Sequence, residues 1–501
     1  MITFDSIPAS LRVPGAYIEI DGSMAGLNSG SIPNLLLVGL KNSFGSAANG
    51  EIVLCASLAD AIDKCGTGTM LHMMAKRFFA INPTLNLYLL PFTADASGES
   101  ATATIEVTHV ATATGTLSLY LGGILITVSV TSTMTTAQIA TAINTAITDI
   151  NAASHNLPAT GTVSGSIVTL TAKHKGSYGN AIDLRVNAAE LDKLPAGLVL
   201  DISGFADGTL IPAGINDDNI AAIFDNDNSG FLIAPSKYIA LGLNDDVTMA
   251  AFHAESQRRY APPIQSGFRA FTAFSGGYSD AISYGNDKNY EHICCVALKN
   301  GMTTVFEAAA IIAATAAPAL YNNPVVSQEG NQLKGLRIAE KFTFEQNNAL
   351  LYVGLSQIQS SRDGTCSIKR LFSMYLHRAD DSLDDAYLDI NTTEVMERIR
   401  YEQRIGAIQR FTGKAVARTD DGYKPGLPII TLETVRAYLL TLYKNRLMRE
   451  FGWVQEYQHY KDTLIIEQDP LNPSRFNYID QPVILSPFYI LAGKAQFRKE
   501  V

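Results

Sequence analysis

With 501 residues, 47% hydrophobic and 17% charged, the chain is long and apolar enough for about two to four globular domains, which excludes a disordered or coiled-coil protein. A formal net charge of −10 supplies no basic field for phosphate and argues against a nucleic-acid binder. Cys55, Cys65, Cys294, Cys295 and Cys366 are odd in number and lack zinc-type spacing, so reduced, mostly buried thiols and folding in a cytoplasm are expected.

Residues 1 to about 30 carry Pro8, Pro14, Gly15, Gly22 and Gly26 and show no helical period. They read as an extended arm with one strand at "AYIEID". Met1 to Pro8 has no basic segment followed by an apolar one, so no signal peptide is expected. The continuous apolar run Leu35 to Leu40 fits a strand buried on both faces. Ser57 with Asp60 opens a short helix. A second helix is predicted over Leu71 to Ala80, ended by Asn82-Pro83, and a strand at Leu87 to Leu90 completes a β-α-β unit.

From about residue 95 to 187 the composition shifts to Thr, Ala, Ser and Gly. "TATIEVTHV", "TLSLYL", "ILITVSV", "SIVTLTA" and "IDLRV" read as strands. Between them Thr135 with Gln138 forms a capping box ahead of the stripe Ile139, Ile143, Ile147 and Ile150. This predicts a small β-rich domain inserted into an α/β domain.

The α/β pattern then resumes. "GFLIAPS", "FRAFTAF" and "ICCVAL" are predicted strands, with helices over Val247 to Tyr260, Tyr278 to Asp287 and Thr304 to Leu320. The last is Ala-rich and interrupted by Glu307 and Pro318, too short for a membrane span, and reads as a buried helix. An acidic run (Asp380, Asp381, Asp384, Asp385, Asp389) precedes a helix over Thr393 to Phe411 rich in Arg398, Arg400, Arg404 and Arg410. Such a sign change is either two solvated faces or a mating of patches between subunits.

The C-terminal segment begins with a helix signal, Pro428 with Thr431 as N-cap and Glu433 in the first turn. Leu432, Val435, Leu439, Leu442, Tyr443, Leu447 and Phe451 recur at helical spacing up to Gly452. Trp453 to Tyr457 and Asp462 to Gln468 look like strands. After Pro470 and Pro473 comes an apolar tail from Gln481 to Val501. At roughly 3.3 Å per residue, it reaches on the order of 70 Å if extended. A terminus is ordinarily polar and frayed unless tied down. The tail therefore either folds back as core strands or adds a strand to another copy of the chain.

Catalytic and metal motifs are weak. A serine-protease triad needs a His to take the Ser proton and an Asp to orient it, yet no "GTSxA" or "HGT" string occurs. None of His72, His109, His155, His174, His253, His292, His377 or His459 sits in such a context. Asp225 to Gly230 matches the first half of a calcium loop, but its twelfth position is Ser236 rather than Glu, so a turn is expected. Gly66 and Gly68 before a helix lack the rest of a phosphate loop. Lys173-His174-Lys175 reads as a solvated turn. No catalytic residue, cofactor or metal is expected.

Four stretches carry a resemblance: "SIPASLRVPGAYIEID", "DAIDKCGTGTMLHMMAKRFFAINPTLNLYLLP", "TLETVRAYLL" followed by "GWVQEY" and "DTLIIEQ", and "DPLNPSRFNYI" with "PVILSPFYILAGKAQF". In this order they resemble the contractile-tail sheath proteins of Mu-like phages, over residues 1 to about 95 and 205 to 501. The resemblance implies an α/β chain, α+β overall. Its subtilisin-like α/β core without a protease site would span 31–95 with 200–375. A β-rich protrusion would occupy 96–199 and an α+β sheath domain 376–478, with extended arms at 1–30 and 479–501. It also implies a structural, non-enzymatic subunit that stacks as rings around an inner tail tube, meets baseplate and tail-terminator proteins, and contracts without nucleotide. Assembly would occur in the host cytoplasm into a virion tail, with no nucleic acid bound and no membrane insertion. The arms would join neighbours through Val13, Tyr17, Ile18 and Ile20 at one end and Val483, Ile484, Leu485, Phe488, Ile490 and Phe497 at the other. Lys444, Arg446 and Arg449 would face the tube, or else are solvent-exposed cations near a helix C-terminus. Two other classes were weighed: a subtilisin-like hydrolase, opposed by the missing triad, and a β-rich adhesin, opposed by the missing secretion signal.

Overall fold

The computed structural model describes residues 33–155, 157–419 and 426–497. The chain opens with β1 (Asn34–Lys41), β2 (Val53–Cys55), α1 (Leu58–Cys65), α2 (Met70–Ile81) and β3 (Asn86–Thr93). Leu35, Leu36, Leu37, Val38 and Leu40 are all fully buried, because helices cover both faces of a parallel sheet. The cap of α1 is the one expected: Ser57 accepts from the Asp60 amide at 3.2 Å, and Asp60 in turn accepts from Ala56 at 2.8 Å. Thr69 caps α2 and Asn82 ends it.

A β-rich body follows, made of β4 (Ser100–His109), β5 (Gly115–Leu121), β6 (Ile124–Val130), α3 (Thr136–Ser154), β7 (Ala159–Ser164), β8 (Ile167–Lys175), β9 (Leu184–Val186) and β10 (Val199–Ile202). The strands form two antiparallel sheets, ordered β10-β4-β8-β7 and β6-β5-β9. Helix α3 begins with both halves of the Thr135–Gln138 capping box. It turns Ile139, Ile143 and Ile147 onto a core separate from that of the α/β sheet. Strand β7 is not among the strands expected from the sequence. It holds because Gly161 leaves room for Asn144 of α3, whose Oδ1 would lie 2.4 Å from a Cβ there.

The first sheet is completed by α4 (Asp217–Asp225), β11 (Lys237–Leu241), α5 (Asp246–Tyr260), β12 (Arg269–Gly276), α6 (Tyr278–Asn286), β13 (Ile293–Lys299), α7 (Val305–Asn322), α8 (Phe344–Tyr352), β14 (Leu355–Ser360) and β15 (Cys366–Arg370). Here one expectation fails. Residues 230–236 are not a strand: Phe231–Ile233 is a single 3₁₀ turn launched from left-handed Gly230. Asn34 holds it by donating to the Phe231 carbonyl at 2.8 Å. The strand starts only after Pro235, which has no N–H to give a ladder. The Ala-rich helix α7 is long and apolar enough to pass as a membrane span by length and composition, and 72% of it is buried inside the protein. It packs on α2, β11 and β12. Its one acid, Glu307, is buried against Arg77 at 2.8 Å and Thr304 at 2.7 Å. All five cysteines are free and buried.

The sheet runs β15-β14-β13-β12-β11-β1-β3-β2. β3, β1 and β11 to β14 are parallel, while β2 and β15 pair antiparallel at the two edges. Strand order reverses between β1 and β11, the place where open α/β sheets commonly take a ligand at the strand C-termini. Here side chains fill it. A Cβ on Gly39 would lie 3.0 Å from Met70 Sδ, and one on Gly242 would lie 2.7 Å from Met74 Sδ. The two glycines let α2 press its thioethers into the crevice.

The C-terminal body contains α9 (Ile390–Phe411), the short pair β16 (Ala415–Val416) and β17 (Ile429–Ile430), α10 (Leu432–Thr441), β18 (Val454–Gln455), α11 (Tyr457–Thr463), β19 (Ile465–Gln468), β20 (Phe476–Ile479) and β21 (Val483–Ile484). Thr431 caps α10 as expected. The helix does not continue as α to Phe451. From Leu442 to Glu450 it widens to a π-helix, closed by Phe451 N–H to Arg446 C=O at 2.9 Å. Nor is Trp453 to Tyr457 one strand: Glu456 takes a left-handed φ of 53° and starts the short helix α11.

Candidate assembly site

The C-terminal body is built on aromatic stacking. Tyr443 and Tyr460 lie face to face at 3.7 Å, and Phe451 stacks on Trp453 at 4.2 Å. The π turn makes these pairs possible, because the wider helix brings Tyr443 and Leu447 to one buried side with Trp453 and Tyr460. Asp480 is the last anchor before the tail. It accepts from Gln403 at 2.6 Å and from Tyr460 at 3.1 Å, and burial together with its charge pushes the Tyr460 phenol up.

The tail then leaves in two stages. Val483 and Ile484 pair antiparallel with Gln455 and Val454 of their own chain, and Leu485 N–H reaches Trp453 C=O at 2.9 Å. These three residues, half-buried, fold back. Beyond them no regular structure forms through residue 497. One side chain in this stretch is held. Tyr489 lies 4.1 Å from the Arg370 guanidinium, which also sits 4.4 Å over the Phe372 ring and pairs with Asp389 at 3.9 Å. Burial first, then the Asp389 charge, pushes the Tyr489 phenol up to about 12. Around it Phe488 is 73% exposed, Ile490 77%, Leu491 87% and Phe497 87%. Exposing that much apolar surface in one run leaves about 1.5–3 kcal/mol of burial per side chain unrealised. Of the residues expected in the arms, Val13, Tyr17, Ile18 and Ile20 lie outside the described residues.

Sequence reading missed what stands beside the tail. β19 and β20 form an isolated two-stranded hairpin with Ile465, Tyr478 and Ile479 exposed. Two strands alone are marginal in water, and both outer edges offer unpaired backbone groups. The signal was present in the β-branched Ile465 and Ile466 and the aromatic Phe476 and Tyr478 on either side of "DPLNPSR", where Asp469 accepts from the Leu471 and Asn472 amides and turns the chain.

The three cations all have partners in this chain. Arg446 pairs with Glu402 at 2.5 Å and lies 4.8 Å over Phe451. Lys444 sits 5.0 Å over Tyr457, and Arg449 reaches Asn445 at 3.5 Å. Arg446 and Arg449 are nonetheless exposed. Parts of the acidic run and of the basic helix likewise find partners at home. Asp384 takes Tyr375 at 2.8 Å and Arg378 at 3.2 Å, and Arg378 holds its carboxyl down to about 2. Asp389 caps α9, Arg398 donates to Tyr321 C=O, and Arg400 donates to Tyr260 C=O.

The motifs doubted on sequence grounds have structural occupations. Asp227 accepts from the Ser229 amide and hydroxyl and from Leu232, while Asp225 faces Arg258 and Arg259. Both carboxylates are thus spent on protein donors. At the start of α2, Gly68 N–H donates to His72 Nδ1 at 2.8 Å and Met70 N–H to His174 Nε2 at 2.9 Å, so imidazoles rather than phosphate take those amides. Among the described residues no serine hydroxyl is hydrogen-bonded to a histidine ring.

No family model matches the chain. It is 29% identical over 501 residues, 99% of each chain, to the "Mu-like prophage FluMu tail sheath protein" of Haemophilus influenzae. The resemblance read over residues 1 to about 95 and 205 to 501 is thereby borne out, and the alignment also takes in the inserted region between them. Among solved structures, a sheath tail protein of Desulfitobacterium hafniense aligns at 13% identity over 94% of this chain and 100% of its own, with a TM-score of 0.45. A chain of the anti-feeding prophage baseplate aligns at 11% over 98% and 100%, also with a TM-score of 0.45.

Proposed function

We propose that this chain, a full-length relative of a Mu-like tail sheath protein, is the repeating structural subunit of a contractile tail sheath. The observation that carries the reading is the match over 99% of both chains. Physically it is supported by an apolar arm that leaves a folded body beside a hairpin with open edges. Copies stack as rings around an inner tube, and the arm of one subunit extends the β19–β20 sheet of another. The strand contact persists while the bodies rotate, so contraction runs from a metastable lattice to a better-packed one. The work is mechanical, and a virion tail assembled in the host cytoplasm is its setting. The inner tube, baseplate and terminator proteins are its partners, with Arg446 and Arg449 available to face the tube.

The three separate cores support a division into an α/β body, an inserted β-rich body, a C-terminal body and a terminal arm, but β10 and Phe205 belong to the β-rich core, so that body ends near 205 rather than at 199. The subtilisin-like comparison belongs to the α/β body alone and carries no activity, since function follows sites rather than folds. Negative-stain microscopy of the purified chain tests the reading. Tubes or stacked rings are expected on concentration, and monodisperse monomers at every concentration would refute it.

A further inference from the structure

A cavity of about 180 Å³ lies where the start of β11 meets α9, lined among others by Lys237, Gln265, Ser266, Glu397, Arg400 and Arg404. Three cations face one carboxylate there. Lys237 is only 6% exposed, and its amine makes a single hydrogen bond, to Ala234 C=O at 3.0 Å. Arg400 is committed to Tyr260 C=O at 2.5 Å and to Glu397 at 3.1 Å. The Nε of Arg404 is buried without a hydrogen-bond partner among the described residues. The next acid, buried Glu394, reaches Lys237 through its charge alone, because its hydrogen bond and ion pairs are with Tyr238, Arg269 and Arg398.

A buried cation without compensation is unfavourable, and proteins pair or neutralise it. The space equals about six waters at their liquid volume, enough for one tetrahedral or planar oxyanion. Guanidinium groups are the donors best shaped for such a group, since they offer paired N–H bonds. We propose that this cavity binds an oxyanion, held by Lys237, Arg400 and Arg404 with Gln265 and Ser266 beside it. The oxyanion bridges the α/β body and α9 across their junction. Free inorganic phosphate and a carboxylate side chain of a second copy share this chemistry. The site does not depend on the sheath reading. Burial, with the Arg259 and Arg404 charges adding and the Glu397 and Glu394 charges opposing, pushes the Lys237 amine down to about 8, so anion uptake weakens as pH rises above that value.

Thermal unfolding of the full chain at pH 7, titrated with sodium phosphate against sodium chloride at equal ionic strength, tests the proposal. A saturable rise in Tm specific to phosphate is expected. Arg404→Gln, which deletes a guanidinium with no hydrogen-bond partner at Nε, is expected to weaken the apparent phosphate affinity at least tenfold, and Arg404→Lys is expected to retain part of it. Calorimetric titration of the unaltered chain with phosphate checks the same binding without any variant. Equal shifts with both salts, no heat of binding, or an Arg404→Gln chain that titrates like the parent would overturn the site. The same titration on self-associated protein separates the sources. Phosphate that stabilises single subunits but loosens the assembly identifies a neighbour's carboxylate as the occupant, and phosphate that stabilises both identifies the free anion.

Discussion

Two bodies meet the α/β sheet, and they are joined to it by opposite kinds of chemistry. The β-rich body is joined through hydrogen bonds, with no ion pair across that junction among the described residues. His174 on β8 accepts from the Met70 amide of α2, and Arg337 reaches Gly123 C=O at 3.3 Å. The C-terminal body is joined through buried charge. Glu394 of α9 accepts from Tyr238 at 2.9 Å and lies 3.6 Å from Arg398 and 3.8 Å from Arg269, while Asn391 holds Val326 C=O at 3.0 Å. The first kind of joint is weak to acid, because an imidazolium cannot accept an N–H. The second is weak to deletion, because each member leaves an uncompensated charge.

The largest expected effect lies at the charged junction. Glu394→Ala strands Arg269 and Arg398 in a buried site and is expected to cost about 3–5 kcal/mol in urea unfolding. A loss below about 1 kcal/mol would mean that α9 is held by packing alone and would erase the contrast.

Acid addresses the other junction. Burial lowers both His72 and His174 from the ordinary 6.5 to about 4, with the nearby Lys76 charge adding to the shift of the first and Lys173 to that of the second. The folded state thus binds fewer protons than the unfolded one below pH 6.5. Stability is full above that pH and is lost as pH falls toward 4. Protection of the Gly68 and Met70 amides against hydrogen exchange, relative to the intrinsic rate at each pH, is expected to fall over that window before that of amides near Glu394. His174→Asn, whose amide oxygen accepts without titrating, is expected to flatten the Met70 response.

Smaller effects test the boundaries of the comparison. Arg370→Met removes the cation under Tyr489 and is expected to cost about 0.5–1 kcal/mol, with faster proteolysis of the chain beyond Leu485. The exposed Lys369–Glu329 pair belongs to neither junction, and Lys369→Ala is expected to change stability by less than about 1 kcal/mol.

The sequence made the strongly patterned parts legible. Leu35 to Leu40 and Ile293 to Leu298 are apolar throughout because both faces are covered, and Thr135 with Gln138 announces α3 by its capping chemistry. What stayed hidden depends on geometry that spacing does not encode. Leu439, Tyr443 and Leu447 fit an α period, so the widening to a π turn leaves no trace in the pattern. The apolar string at 231–235 looks like strand, yet Gly230 and Pro235 confine it to one turn. The tail was legible as an oddity, but its division was not. Nothing in Val483 to Leu485 says that they pair with Val454, or that Tyr489 docks on Arg370. The donor to His174 is equally remote, since the Met70 amide lies 104 positions away.

The measurement that bears most directly on the central claim is microscopy of a chain carrying Phe488→Asp and Ile490→Asp. Both side chains are more than 70% exposed in the subunit, so its folding and Tm are expected to be unchanged. If the arm joins neighbours, the parent chain forms tubes or rings and the double variant stays monomeric at the same concentration. A double variant that assembles as readily as the parent would contradict the account, because its exposed apolar arm would then have no role in holding copies together.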